Sequence, residues 1–189
     1  LYMYYTDKLD SLKDIFGTGR IEILDNMLIV ESNKYPIVDD VIILLQPSQY
    51  PTSVKAKLNS NTKEEETPVS GFAEDIQFTF GDEWKTFSDI LPEHYQEFLL
   101  YFDLVDLDEL KNQRVCDLGC GIGRWSYHLK DKCRELVLLD FSEAIFVARR
   151  NLKSCDNSIF FMGDIRRLPF KNNFADFLFC IGVLHHLPT

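Results

Sequence analysis

Apolar positions come in short runs along the second half of this chain and predict strands at 113–118, 135–140, 158–162 and 175–181. Helical segments are expected between them, near 123–131 and 143–153. Such alternation implies a parallel sheet with crossover helices. The first half reads differently. Ile21-Glu22-Ile23-Leu24, Met27-Leu28-Ile29-Val30 and the run from Val41 to Leu45 predict a small β-rich segment over 1–50, with Asp25-Asn26 as a turn. Residues 51–70 hold Pro51, Asn59 to Thr62, Glu64-Glu65-Glu66 and Pro68, the composition of a flexible linker. A helical lead-in follows over 71–112: Tyr95, Phe98, Leu99 and Phe102 fall at i, i+3, i+4 and i+7 on a helix that begins after Pro92.

Chemistry concentrates where the first core strand ends. Val115-Cys116-Asp117-Leu118-Gly119-Cys120-Gly121-Ile122-Gly123-Arg124 is a strand closed by an acid and three alternating glycines. Asp140 closes the next strand and Asp164 follows the third. Glycines let backbone approach a ligand closely, and a helix starting near Gly123 turns its free N–H groups toward the loop. An acid ending the second strand is where nucleotide-binding βαβ units grip a ribose. The pattern therefore predicts a nucleoside cofactor. Dinucleotide sites use G-x-G-x-x-G and need the helix N-terminus for a pyrophosphate. Here the spacing is G-x-G-x-G with Asp117 two residues ahead of Gly119. A carboxylate there repels a pyrophosphate and suits an ammonium or sulfonium, which favours S-adenosylmethionine over NAD.

From about Phe80 to Thr189 the chain resembles class I S-adenosylmethionine-dependent methyltransferases, of the methyltransferase type 11-like kind. The resemblance is carried by Cys116 to Arg124, Leu138-Leu139-Asp140-Phe141-Ser142, Gly163-Asp164, Leu168-Pro169-Phe170, Phe174-Ala175-Asp176 and Gly182-Val183-Leu184-His185-His186-Leu187. It implies a Rossmann-like parallel α/β sheet with flanking helices over 113–189, an incomplete methyltransferase core preceded by the N-terminal β-rich segment. The family's core continues past a fourth strand, so a chain running from Leu1 to Thr189 reads as a fragment with its fourth strand at an open edge. Tyr35 to Asp40 weakly resembles the zinc-ribbon-like domain found beside some methyltransferases, here without the cysteines, so no metal is expected.

The resemblance also implies roles. Gly119, Gly121 and Gly123 form the loop that passes the methionine and ribose portions of the cofactor, with Asp117 near its ammonium, directly or through water. Asp140 accepts from both ribose hydroxyls, and Phe141 lies against the adenine. Asp164 takes the adenine amino group beside the Ile165 backbone N–H, while Cys180, Ile181 and Gly182 border the sulfonium. Trp84 or Tyr95 would cover the methionine end. An acceptor must lose a proton, and His186, matching the family's recurrent histidine, is the candidate catalytic base.

Charge narrows the partners. The net charge is −10, and residues 71–110 carry 11 acids against 1 base, whereas 111–189 carry 12 bases against 8 acids. An acidic lead-in argues against nucleic acid, whose binders present a basic face. Arg149-Arg150 and Arg166-Arg167 are the local basic pairs. No apolar run approaches the roughly 20 residues of a membrane helix. Five cysteines without a C-x-x-C pair point to buried reduced thiols and a cytoplasmic setting. The leading expectation is methyl transfer to a small-molecule acceptor. An RNA or protein acceptor, a non-catalytic cofactor-binding module and, last, a nicotinamide dehydrogenase are the alternatives. Neither the acceptor nor the oligomeric state is legible in the residues.

Overall fold

The computed structural model describes residues 4–59 and 89–186. Its strands are β1 (Ile21–Leu24), β2 (Met27–Val30), β3 (Asn33–Val38), β4 (Val41–Ile43), β5 (Arg114–Leu118), β6 (Glu135–Asp140), β7 (Ser158–Met162) and β8 (Phe177–Phe179). The helices are α1 (Leu9–Phe16), α2 (Thr52–Asn59), α3 (Glu93–Tyr101), α4 (Ser126–Leu129) and α5 (Ala144–Asn151). All eight strands share one sheet in the order β1-β2-β3-β4-β7-β6-β5-β8. Neighbours from β1 to β4 run antiparallel, and those from β4 to β8 run parallel.

The expected core strands are present, and β6 and β7 have the expected bounds. Every residue of β7 is buried, as a strand covered on both faces requires. The N-terminal β-rich segment does not stand apart from this sheet. It extends it. Val41, Ile42 and Ile43 present no polar position to a solvated face, and β4 accordingly pairs with β7 through Ile42 opposite Phe161 and Ile43 opposite Met162. Two tight turns make the extension possible. Asp25 and Asn26 have φ of 49° and 60°, and Asp39 and Asp40 have 47° and 62°. Successive left-handed residues form the primed turns that match strand twist, and short polar side chains tolerate them.

Part of the expected flexible linker is helix. Residues 52–59 form α2, because Val54 is buried, the Ser53 hydroxyl donates to Glu143, and Lys57 pairs with Asp39. Residues 60–70, and the lead-in up to 88 with Trp84, lie outside the described residues. Near 123–131 the α-helix is confined to Ser126–Leu129, and the fourth core strand to Phe177–Phe179. The stripe on α3 is narrower than its spacing suggests. Phe98 and Phe102 are buried and Phe102 meets Phe179 edge-on, while Tyr95 and Leu99 remain exposed at the margin.

Topology then locates the site. Going along the sheet, β6 and β7 lie on one side of β5 and β8 lies on the other. Strand order reverses at β5, and open α/β sheets bind ligands in the crevice at the carboxyl ends of the strands flanking such a reversal. Among the described residues no helix is long and apolar enough to cross a membrane.

Candidate functional site

Asp117, next to last in β5, is 1% exposed. Its Oδ2 accepts a 2.7 Å hydrogen bond from the hydroxyl of Ser126, itself fully buried at the start of α4. Burial, with a smaller push from the neighbouring Asp140, takes this carboxyl up to about 7 against the pull of the Ser126 hydroxyl. Among the described residues no cationic side chain pairs with it. A buried acid without a countercharge is costly, and an ammonium or sulfonium brought close would supply what is missing.

The glycine loop is built around the second acid. Asp140 Oδ2 accepts the Gly121 amide at 2.8 Å, and Oδ1 accepts the Ser142 amide at 2.8 Å and the Ser142 hydroxyl at 2.7 Å. The Phe141 amide also acts on this carboxylate, and a carboxylate offers about four lone pairs, so a ribose hydroxyl would take the place of a present donor. Bidentate acceptance from both hydroxyls needs the Ser142 hydroxyl to rotate away. Burial raises this carboxyl as well, opposed by its bonds to Ser142 and Gly121. The loop amides of Gly119 and Cys120 both donate to the Leu139 carbonyl, at 2.7 and 3.0 Å, which holds the loop across the ends of β5 and β6.

The three glycines differ in what they permit. Gly119 has φ of +78°, and a Cβ there would fall 2.2 Å from Val183 Cγ2. The loop after β8 thus packs directly on the glycine loop, across the point where strand order reverses. Gly121, with φ of +54°, turns its amide to Asp140. Gly123 serves packing: a Cβ would stand 2.8 Å from Leu152 Cδ1 and 3.2 Å from Ala148 Cβ. We expect Gly119→Ala to destabilise the fold by about 1–3 kcal/mol, from a strained left-handed residue and the Val183 collision. Adding Val183→Ala should return part of the lost melting temperature. A single variant that melts with the parent would contradict this packing.

The remaining expected residues line the same end of the sheet. Phe141, Ile165 and Ile181 are half-buried and packed against the core at the ends of β6, β7 and β8. Asp164 follows β7, but its carboxylate is engaged by Arg166. His186 is exposed on the short turn Leu184–His186, its ring 3.9 Å from that of His185. The structure therefore joins Asp117, Asp140 and the glycines into one bonded unit, with Asp164 and His186 outside it. Ser126, Ser142, Val183 and Arg166 are the partners of the expected site residues to which the sequence reading gave no site role. Only Ser142 had a local signal, an acceptor-donor pair two residues apart at a turn. Among the described residues no group of three or more His, Cys, Asp or Glu could hold a metal ion. Burial pushes the Cys116 and Cys120 thiols up, away from the thiolate a metal requires.

Residues 115–189 match the family model described as methyltransferase domain. Over this part the chain is similar to methyltransferases. The methyl donor expected from this likeness is S-adenosylmethionine, and the uncompensated Asp117 carboxyl beside the loop clamped by Asp140 fits a cationic nucleoside of that kind. Comparison with curated proteins gave no match. Among solved structures, the chain is 30% identical to a protein of Pyrococcus horikoshii OT3, over 51% of this chain and 49% of that one, with a TM-score of 0.42. It is 23% identical to a phosphoethanolamine N-methyltransferase of Haemonchus contortus in complex with phosphoethanolamine and S-adenosylhomocysteine, over 50% and 22%, with a TM-score of 0.42. It is 21% identical to magnesium protoporphyrin IX methyltransferase of Synechocystis PCC 6803 with bound S-adenosylmethionine, over 77% and 66%, with a TM-score of 0.37. The first two matches cover half or less of those proteins' own length, at 22% and 49%.

Proposed function

We propose that the chain binds S-adenosylmethionine at the glycine loop and transfers its methyl group to a small-molecule acceptor. The observation that carries this reading is the Asp117 carboxyl, buried without a cation beside a loop clamped by Asp140. When bound, S-adenosylmethionine supplies an electrophilic methyl on a sulfonium. Asp117 would hold the positive end, through water given its burial. Asp140 would accept a ribose hydroxyl in place of the Ser142 hydroxyl, and Phe141, Ile165 and Ile181 would exclude water from the adenine and sulfonium. Asp164 would meet the adenine amino group. His186 would take the proton that the acceptor loses, as a base in an in-line displacement held by proximity. The five unpaired cysteines suit a reducing compartment such as the cytoplasm.

The small-molecule reading draws on charge. One arginine of each basic pair is engaged within the chain: Arg149 is paired with Asp40 at 3.0 Å and lies over the Tyr4 ring, and Arg166 is paired with Asp164. An RNA acceptor calls for a broad basic face, and this engagement of Arg149 and Arg166 together with the net charge of −10 works against one. Incubation of the chain with methyl-labelled S-adenosylmethionine and a cell extract tests the reading. Label should appear in the low-molecular-weight fraction and be lost with Asp140→Ala. Label recovered in RNA or in protein would overturn the acceptor class.

A further inference from the structure

The loop after β7, to which the proposed function assigns the adenine, carries a residue that neither the glycine loop nor the acids explain. Asp164 follows β7, and its side chain is only 11% exposed. Arg166, two residues on, folds back over it. Its Nε donates to Oδ1 at 2.9 Å and to Oδ2 at 3.1 Å, and its Nη2 donates to Oδ2 at 2.7 Å. The Arg166 backbone amide adds a fourth contact, to Oδ1 at 2.9 Å. A carboxylate accepts about four hydrogen bonds, so every lone pair of Asp164 already faces a donor. An incoming amino group finds no vacancy until the guanidinium gives way. The Arg166 hydrogen bonds also hold the Asp164 carboxyl below its ordinary range, so it meets a ligand as an anion.

Guanidinium and carboxylate make opposite demands on a purine. The carboxylate accepts from a base edge that bears an exocyclic amino group. The guanidinium donates to an edge that bears a carbonyl. Arg166 side chain is 47% exposed, so its head can leave Asp164 for solvent at small cost, as an exposed ion pair contributes little.

We infer that Arg166 sets the purine selectivity of this site, releasing Asp164 to an adenine amino group and remaining in place to serve a base with a 6-oxo group. The inference rests on the cofactor reading above. Toward an adenine Arg166 acts through Asp164, and toward a 6-oxo base it donates directly, so a 6-oxo cofactor analogue becomes a tolerated ligand because of it. With Arg166 removed, a bare carboxylate faces the base, welcomes the amino group and repels the carbonyl. A site with a buried hydrogen-bonding group rejects the analogue that cannot satisfy it.

The test is calorimetric titration of S-adenosylhomocysteine and S-inosylhomocysteine into the full chain and into Arg166→Ala and Arg166→Lys. For Arg166→Ala, adenosyl affinity should rise about twofold to fivefold and inosyl affinity should fall, widening the ratio at least about fivefold. Arg166→Lys keeps a cation without the fork and should fall between the two. A merely structural surface pair would move both affinities together. An adenosyl-to-inosyl ratio widened by less than about fivefold, or a narrower one, overturns the inference while leaving the cofactor reading intact. Failure of the folded parent to bind either ligand overturns the cofactor reading, and this inference with it.

Discussion

Arg114→Ala should lower the unfolding free energy by about 3–5 kcal/mol, the range for leaving one partner of a buried ion pair uncompensated. Arg114 opens β5 and is 3% exposed. Its guanidinium bonds Glu135 at the start of β6, Asp14 of α1 at 2.6 Å and the Phe174 carbonyl ahead of β8 at 2.7 Å. Its own amide donates to Asp176 at 2.7 Å. One side chain thus joins the N-terminal helix to three core strands at the end of the sheet opposite the site. Glu135 is 7% exposed, so truncating Arg114 strands a carboxylate where water reaches it poorly. Lysine cannot reproduce the fork and should recover little. Replacing Arg114 and Glu135 together by methionine should restore most of the loss, since removing both charges also removes the desolvation cost. Chemical denaturation of the three variants checks this. An alanine variant within about 1 kcal/mol of the parent would show the network to be incidental.

Asp117→Asn should move stability and binding in opposite directions. The folded-state carboxyl sits near 7, well above the ordinary value of 3.8. A carboxyl raised on folding contributes most below the unfolded value, and that contribution fades as pH climbs through about 7. The loss across that window is on the order of 4 kcal/mol. Asparagine keeps an acceptor for Ser126 and carries no charge. The free variant should therefore be more stable than the parent at pH 8 by a few kcal/mol, with a melting temperature that no longer declines between about pH 5 and 7. Binding reverses the sign. A cationic ligand needs the carboxylate, so parent affinity should fall up to about tenfold for each pH unit below about 7, while the variant stays weak and flat. A variant that binds S-adenosylhomocysteine as tightly as the parent at pH 8 would remove Asp117 from the site.

The core strands were legible because buried strands leave dense apolar runs, and β6 and β7 carry almost nothing else. The two carboxylates at Asp117 and Asp140 were legible because they close such runs beside glycines. What joins distant parts was not. Pairing of β4 with β7 connects residues more than a hundred positions apart, and the only trace is the apolar run of Val41, Ile42 and Ile43. Arg114 reads as an ordinary strand-edge cation until Asp14 and Glu135 are brought beside it. The helix α2 has a weak local pattern, with Val54 as its one buried side chain, so its polar composition passed for a linker. At the site itself, Val183 meets Gly119 only because β8 lies next to β5 in the sheet, an adjacency no local pattern encodes.

The central claim is that the glycine loop with Asp117 and Asp140 takes a cationic adenosyl cofactor in preference to a pyrophosphate-bearing one. Calorimetric titration of the full chain at pH 8 with S-adenosylhomocysteine, and separately with NADH, tests it most directly. The account expects one S-adenosylhomocysteine site of micromolar affinity and no heat from NADH. Saturable NADH binding, or a folded chain that binds neither, would contradict it.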